Sequence, residues 1–418
     1  MIKNFYIENF QSIKERLSVS FVASALTDDT SYQNFFNYKG ESILKAAAFY
    51  GMNASGKSAI VRALAVFREL ISPSIPFNQP MTDLPYFPFK FSNETKHKPT
   101  YFGIEFSLDN TDSANTYKYY LSYNGLHIID ERLEKMTSQK YSVLFSRHTS
   151  ENGETQLDFG SNVTNGPLLT ALKPSVVHNK PFLSVFSTLN IPDLHDSYLF
   201  FSERLINISP EVTRNDDIVP IRVEQDDNLK AFLVSLLKTA DFNIDNFHVG
   251  KSKLQNIING MPNLLAEKKS LFLDHNVKNE DNSIEFIQES LGTKKMVILG
   301  AHLYDALRKP SVLIVDELEA SLHPELTKMI VTLFLDDSIN IHNSQLLFTS
   351  HETTLLNLSL LRRDQINFVY KDENSCGTYV KSLKDFQMRK DSSIAKSYLA
   401  GRFSTSPDVN ESLLMRGE

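Results

Sequence analysis

The sequence predicts an α/β protein with a parallel sheet and a phosphate-bearing ligand at its carboxyl edge. Three observations carry that expectation. Gly51-Met52-Asn53-Ala54-Ser55-Gly56-Lys57-Ser58 lies between the apolar run 44–50, which reads as a buried strand, and 59–67, which reads as an amphipathic helix. Strand, glycine loop and helix are the context a phosphate-binding loop requires. Val312-Leu313-Ile314-Val315 is wholly apolar, as a strand buried on both faces should be. From Gly292 onward, strand-like and helix-like segments alternate, which indicates a sheet wrapped by helices.

The loop comes first because its chemistry is the most specific. Backbone N–H groups from Gly51 through Asn53, Ala54, Ser55 and Gly56, with the helix N-terminus behind them, suit an anion. Gly51 and Gly56 are expected to let the backbone approach phosphate oxygens where a Cβ would clash. Lys57 can reach the β- and γ-phosphates of ATP, and the Ser58 hydroxyl can hold Mg²⁺.

The bulk of the chain is consistent with a globular protein. Its 418 residues allow two or three domains, with 41% hydrophobic and 22% charged residues. A net charge of −7 argues against wrapping nucleic acid and restricts any such contact to a local patch. The single cysteine, Cys376, excludes an intramolecular disulfide and fits a reducing cytoplasm. No apolar run is long enough for a membrane span, and residues 1–10 lack a signal peptide's apolar core, so a cytoplasmic location is expected.

Taken in order, 5–10 and 17–22 read as strands around a turn, and 27–39 as a polar and aromatic loop. The helix after the phosphate loop should stop near Ile71, broken by Ser72-Pro73-Ser74-Ile75-Pro76. Alternation over 101–108, 117–123, 127–135 and 141–147, with Asn124-Gly125 as a hairpin turn, predicts an antiparallel meander. Helical patches are expected at 165–173 and 181–189, a helix at 229–240, a strand at 241–249 and a hairpin with a loop within 250–282. Residues 294–307 read as an amphipathic helix, 311–315 as a strand, 324–335 as a helix, and 345–349 and 366–371 as strands. Neither heptads nor repeats are evident. The expected division is 1–150, the first part of the core; 151–284, an inserted, mostly helical subdomain; and 285–418, the second part of the core.

Four further stretches bear on chemistry. The strand ending at Val315 delivers Asp316 and Glu317 to the edge that carries the loop. Asp316 would hold Mg²⁺ through water, and Glu317 would orient or deprotonate the attacking water. Glu289-Ser290-Leu291-Gly292-Thr293 opens a helix. Ser290 is either its N-cap or, with Gly292, a cap on the γ-phosphate of ATP bound to another subunit; the spacing from Asp316 favours the second. Thr349-Ser350-His351 ends a buried strand and offers His351 to the γ-phosphate or to water. Between them, Glu319-Ala320-Ser321-Leu322-His323-Pro324 turns into a helix and suits communication between two sites.

This order of motifs resembles the ABC-type ATPases. The branch it is most similar to is that of the OLD-like and abortive-infection AAA family ATP-binding proteins, with RecF- and SMC-like heads related. Residues 7–13, 361–366 and 398–403 resemble the same branch, and the likeness covers roughly 1–150 and 285–405. It implies an ABC-type P-loop NTPase head with an antiparallel β meander. Residues 51–58 match Walker A, Ser290 and Gly292 the signature, Asp316 and Glu317 Walker B, Ser321 and His323 the D-loop, and His351 the switch. It also implies a homodimer or higher oligomer with ATP sandwiched between subunits, and an ATPase serving phage defence with a separately encoded nuclease or toxin as effector. Leu291 replaces the first signature glycine and Thr293 its glutamine. Gln79 is the nearest candidate for a Q-loop. Too few residues follow His351 for the nuclease domain of OLD proteins, so no nuclease activity is expected. The basic run Lys381, Lys384, Arg389, Lys390, Lys396 and Arg402 reads as a solvated face, or else as a nucleic-acid or acidic-partner surface. Two other readings stay open: a DNA-repair or chromosome-maintenance ATPase that binds DNA directly, and an ATP-bound scaffold that holds a toxin inactive.

Overall fold

The computed structural model describes residues 1–26, 30–72, 79–81, 83–138, 140–150, 152–161, 163–164, 166–208, 218–251, 257–258, 261–262, 269–276, 282–387 and 393–403. The helix after the phosphate loop ends at Ile71 with Ser72 as its C-cap, as expected; the rest of the break at 73–76, much of the hairpin expected within 250–282, part of the loop at 27–39, and Arg389 and Lys390 lie outside these residues.

Two sheets organise the chain. The parallel sheet has the strand order Leu205–Ile208, Val312–Val315, Gln345–Thr349, Ala46–Gly51, Ile366–Lys371 and Thr378–Ser382. Only its last pair is antiparallel. The period of two sorts its side chains cleanly. Ala47, Phe49, Val312, Ile314, Leu347 and Val369 enter one core, while Ala46, Ala48, Tyr50, Leu313, Val315, Leu346 and Phe348 enter the other. Burial on both faces is why these strands read as unbroken apolar runs.

The meander predicted from alternation is present. Its sheet has seven strands, all antiparallel, and residues 2–8 and 17–20 complete one side of it. Between the two sheets lies the helix Lys57–Ile71, buried along most of its length. Phe67 anchors it: its ring stacks on Tyr119 with centroids 5.6 Å apart and meets Phe102 at 5.2 Å and Phe201 at 5.1 Å. On the other face of the parallel sheet lie the helices Asp227–Thr239, Leu291–Leu307 and Pro324–Leu335.

Several expectations are refined. Leu291–Leu307 is not amphipathic in the usual sense, because twelve of its seventeen residues are buried. A Cβ on Gly300 would come within 2.7 Å of the side chains of Leu233 and Leu236, so the neighbouring helix sits directly on it. Part of the loop expected at 27–39 is the hairpin Phe35–Tyr38 with Glu41–Leu44, turned by Lys39 and Gly40 at φ 50° and 80°. Positive φ at both positions is the mark of a type I′ turn, here without the usual Asn-Gly or Asp-Gly pair. At Asn124-Gly125 the hairpin forms, but through a four-residue loop in which Asn124 Oδ1 accepts from the N–H groups of Leu126 and His127. The stretch 181–189 holds the 3₁₀ helix Phe182–Ser187. Among the described residues of 151–284, Thr155–Phe159 edges the antiparallel sheet and Leu205–Ile208 edges the parallel one, beside four α-helices and most of a three-stranded sheet whose last strand is Ser283–Glu285.

Candidate nucleotide-binding site

The strand Ala46–Gly51 feeds a tight loop into the helix Lys57–Ile71, with Ala54 at φ 60° and the N-cap Gly56 at φ 107°. That geometry turns successive N–H groups outward as an anion nest. The glycines serve a second purpose. A Cβ on Gly51 would come within 2.2 Å of the Val369 carbonyl oxygen, and one on Gly56 within 2.1 Å of Thr378 Oγ1. Their absent side chains therefore also make room for protein behind the loop. Thr378 completes the support: its hydroxyl lies 2.9 Å from the Ser55 carbonyl oxygen and 2.8 Å from Ser12 Oγ, and its N–H donates to Ser12 O at 2.8 Å.

Lys57 folds back on its own loop, donating to the carbonyls of Gly51 at 2.9 Å and Met52 at 3.0 Å. Burial pushes its pKa down, opposed by Asp316, Glu319 and Glu317. All three carboxylates thus act on the Lys57 ammonium. A cleft of ≈ 280 Å³ brings Asn53, Ala54, Ser55, Gly56, Lys57 and Ser58 together with Glu317 and His351. That volume lies at the lower bound of about 300–1,000 Å³ for sites that enclose a drug-sized ligand. It suits the phosphates, with the rest of a nucleotide left for another surface to cover.

Thr349, noted in the sequence only as a strand end, organises the carboxylate side. Its hydroxyl donates to Asp316 Oδ1 at 2.6 Å and accepts from the Glu317 N–H at 2.8 Å. Glu317 sits at φ 51°, exposed at the cleft. Behind it the buried Lys295 donates to the carbonyls of Glu317 at 2.8 Å and Leu318 at 3.1 Å. Burial lowers the Lys295 pKa to about 8 against the pull of Glu319, Glu317 and Asp316. Glu319, another residue the motif reading passed over, accepts the His351 N–H on Oε1 at 2.6 Å, and its Oε2 is buried without a partner among the described residues. Burial and then Lys57 push the His351 imidazole below its ordinary range, against the pull of Glu319, Glu317 and Asp316.

The donors that would hold Mg²⁺ fit that ion. Ser58 and Asp316 offer hard oxygens, and among the described residues no cluster of three or more His, Cys, Asp or Glu competes as a metal site. Few protein ligands are what Mg²⁺ takes when phosphates and water supply the rest.

Ser290, Gly292, Ser321 and His323 do not line this cleft. Ser290 caps its helix, accepting the Thr293 N–H at 3.1 Å. A Cβ on Gly292 would come within 2.9 Å of the Ser321 carbonyl, so the turns at Gly292 and Ser321 touch within the chain. Leu291 is 71% exposed, Ser321 and His323 are exposed, and His323 Nδ1 accepts the Glu325 N–H. Gln79 is exposed and away from the cleft, whereas Gln11 and Ser12 line it. The signal for that pair lay in the 7–13 stretch. Of the C-terminal basic residues, Lys384 donates to Ser24 Oγ and Lys381 lies over the Phe386 ring.

Comparisons with known proteins follow from this geometry. Residues 46–357 match the family model described as "AAA domain, putative AbiEii toxin, Type IV TA system". No curated protein matches the chain. Among solved structures, an SMC head bound to the C-winged helix domain of ScpA is 12% identical, with 91% of this chain and 97% of that one covered and a TM-score of 0.43. The SMC head domain from Thermotoga maritima is also 12% identical, covering 91% and 98%, with a TM-score of 0.39. The Pyrococcus furiosus SMC head with an extended coiled coil, bound to the C-terminal domain of ScpA, is 12% identical, covering 91% and 96%, at 0.39. Among the described residues no helix is long and apolar enough to cross a membrane.

Proposed function

Since the chain belongs to the AbiEii-type AAA-domain family of P-loop ATPases, we propose that it binds Mg²⁺–ATP in the Lys57 cleft and hydrolyses it. The observation that carries this reading is the meeting of Lys57, Glu317 and His351 in one cleft, with Asp316 close enough to act on the Lys57 charge.

In this reading Lys57 exchanges the Gly51 and Met52 carbonyls for the β- and γ-phosphates. Loop N–H groups from Asn53 to Ser58 hold the remaining oxygens. Ser58 and Asp316 hold Mg²⁺, which when bound offsets charge on the phosphates. Glu317 takes a proton from, or aligns, the attacking water, and His351 hydrogen-bonds the γ-phosphate or that water. Thr349 and Lys295 keep the two carboxylates aimed. Ser290, Gly292, Ser321 and His323 of a second copy close over the open side, so two ATP molecules sit between two chains.

Hydrolysis then opens the assembly and passes a signal to a separately encoded effector, in bacterial defence against phage. A second reading is favoured by the toxin–antitoxin wording of the family description: the ATP-bound assembly acts as a scaffold that restrains a toxin and scarcely turns over. A single-turnover hydrolysis assay separates the two. The first reading expects stoichiometric release of phosphate, and Lys57→Ala is expected to abolish ATP binding in calorimetry. Wild-type affinity in Lys57→Ala sinks the site assignment.

A further inference from the structure

The helices that begin at the phosphate loop and at Ser290 both end at a second, larger cleft of ≈ 790 Å³. Its floor is the strand Leu205–Ile208, the last in the parallel sheet, which among the described residues pairs with Val312–Val315 alone. Arg68, on the last turn of Lys57–Ile71, forms one wall. His302, Asp305, Arg308 and Lys309, at and just beyond the end of Leu291–Leu307, form the other. At 1.5 Å per residue, Arg68 lies about 17 Å along the axis from Lys57, and Arg308 about 25 Å from Leu291.

The strand presents an open edge to this cleft. Ile208 is in register with Val315, and its carbonyl accepts the Asp316 N–H at 3.3 Å. Alternate residues of a strand bond to the same side. The backbone of Ile206 and Ile208 therefore bonds inward, and that of Leu205 and Asn207 faces the cleft. The Leu205 N–H donates to Phe200 O, so the outward groups are the carbonyls of Leu205 and Asn207 and the N–H of Asn207. Asn207 Oδ1, also in the cleft, is buried without a partner among the described residues.

Charge selects the occupant. Arg68, Arg222, Arg308 and Lys309 line the cleft against Glu203 and Asp305, in a chain whose net charge is −7. Arg222 meets Asp305 at 2.6 Å, Lys309 meets Glu203 at 3.4 Å and Arg308 meets Asp226 at 3.7 Å, while Arg68 donates its Nε to the Phe201 carbonyl at 3.1 Å. The positive surplus therefore rests on Arg68, beside an edge that offers main-chain hydrogen bonds.

We propose that this edge receives an extended, acidic segment of a partner polypeptide as an added strand. Main-chain bonds to Leu205 and Asn207 supply affinity, and the basic walls supply selectivity. A segment seated there touches both helices whose N-termini form the proposed nucleotide site. Its coupling to ATP rests on the function proposed above; the docking does not.

The test uses the full chain and a fluorescein-labelled decapeptide alternating Glu and Val, followed by anisotropy. Saturable binding without nucleotide is expected, with none for the Lys–Val counterpart. Asn207→Pro removes the outward N–H and spares the inward ladder, and should weaken binding about tenfold. Arg222→Glu, on a helix outside both sheets, should weaken it likewise and keeps the test decisive should Asn207→Pro unfold. No saturable binding to the wild type, equal affinity in both folded variants, or displacement by an oligothymidylate of equal charge would overturn the proposal. An ATP-dependent shift in affinity that disappears in Lys57→Ala supports the coupling. Binding indifferent to ATP removes the coupling and leaves the docking standing.

Discussion

The two halves of the proposed catalytic apparatus differ in how complete they are. The loop half is assembled within one chain: Lys57 is buried and hydrogen-bonded, Asp316 and Glu317 are tied through Thr349, and His351 is tied through Glu319. The signature half is held just as firmly, with Ser290 bonded to Thr293 and Gly292 against Ser321, but it stands outside that cleft with Leu291 exposed. The contrast teaches that firmness and function separate here. One half is arranged around the cleft, and the other is not.

The strongest way to break that comparison is Glu317→Gln. It should leave ATP binding intact, lower turnover by about 10²–10⁴-fold and accumulate a closed oligomer in size-exclusion chromatography. Turnover at the wild-type rate removes Glu317 from the role of base. Next is Ser290→Arg, which tests the outward half. Affinity of the single chain for ATP should stay at the wild-type value while ATP-dependent assembly and hydrolysis disappear. Equal loss of binding would show that both halves serve the same chain's nucleotide.

Much of this was legible because the determining residues are local. Phosphate loop, buried strand and acidic pair each declare themselves within eight positions, and the strands at 312–315, 345–349 and 366–371 were read from the sequence, whereas Thr378–Ser382, with polar residues at three of its five positions, was not. What stayed hidden depends on neighbours distant in sequence. Thr349 looks like an ordinary strand end until Asp316 lies beside it, and Glu319 looks like turn polarity until it meets the His351 N–H. Leu205–Ile208 was missed for the same reason. Four residues carry no periodicity, and only the partner Val312–Val315 makes them a strand.

Smaller effects sharpen the account of the loop half. Thr349→Val keeps the shape and loses the hydroxyl, so kcat should fall about tenfold with KM little changed. A fall in affinity instead would move Thr349 from aiming the carboxylates to building the pocket. Lys295 gives a pH signature. Its pKa falls from 10.5 to about 8 on folding, so between those values the unfolded chain holds more protons and stability gains from this group as pH rises. Melting temperature measured from pH 8 to 10.5 should therefore decline more steeply in Lys295→Met than in the wild type. Parallel curves would mean the ammonium is not buried.

The brace behind the phosphate loop has a consequence for synthesis. Ser12 and Thr378 clamp the loop from sequence positions 366 residues apart, and Val369 fills the space beside Gly51. A nascent chain on the ribosome can form the loop's sequence early, but not its backing. Competence for ATP should thus appear only after the strand containing Thr378 has emerged, and products terminated before it should be inert toward nucleotide.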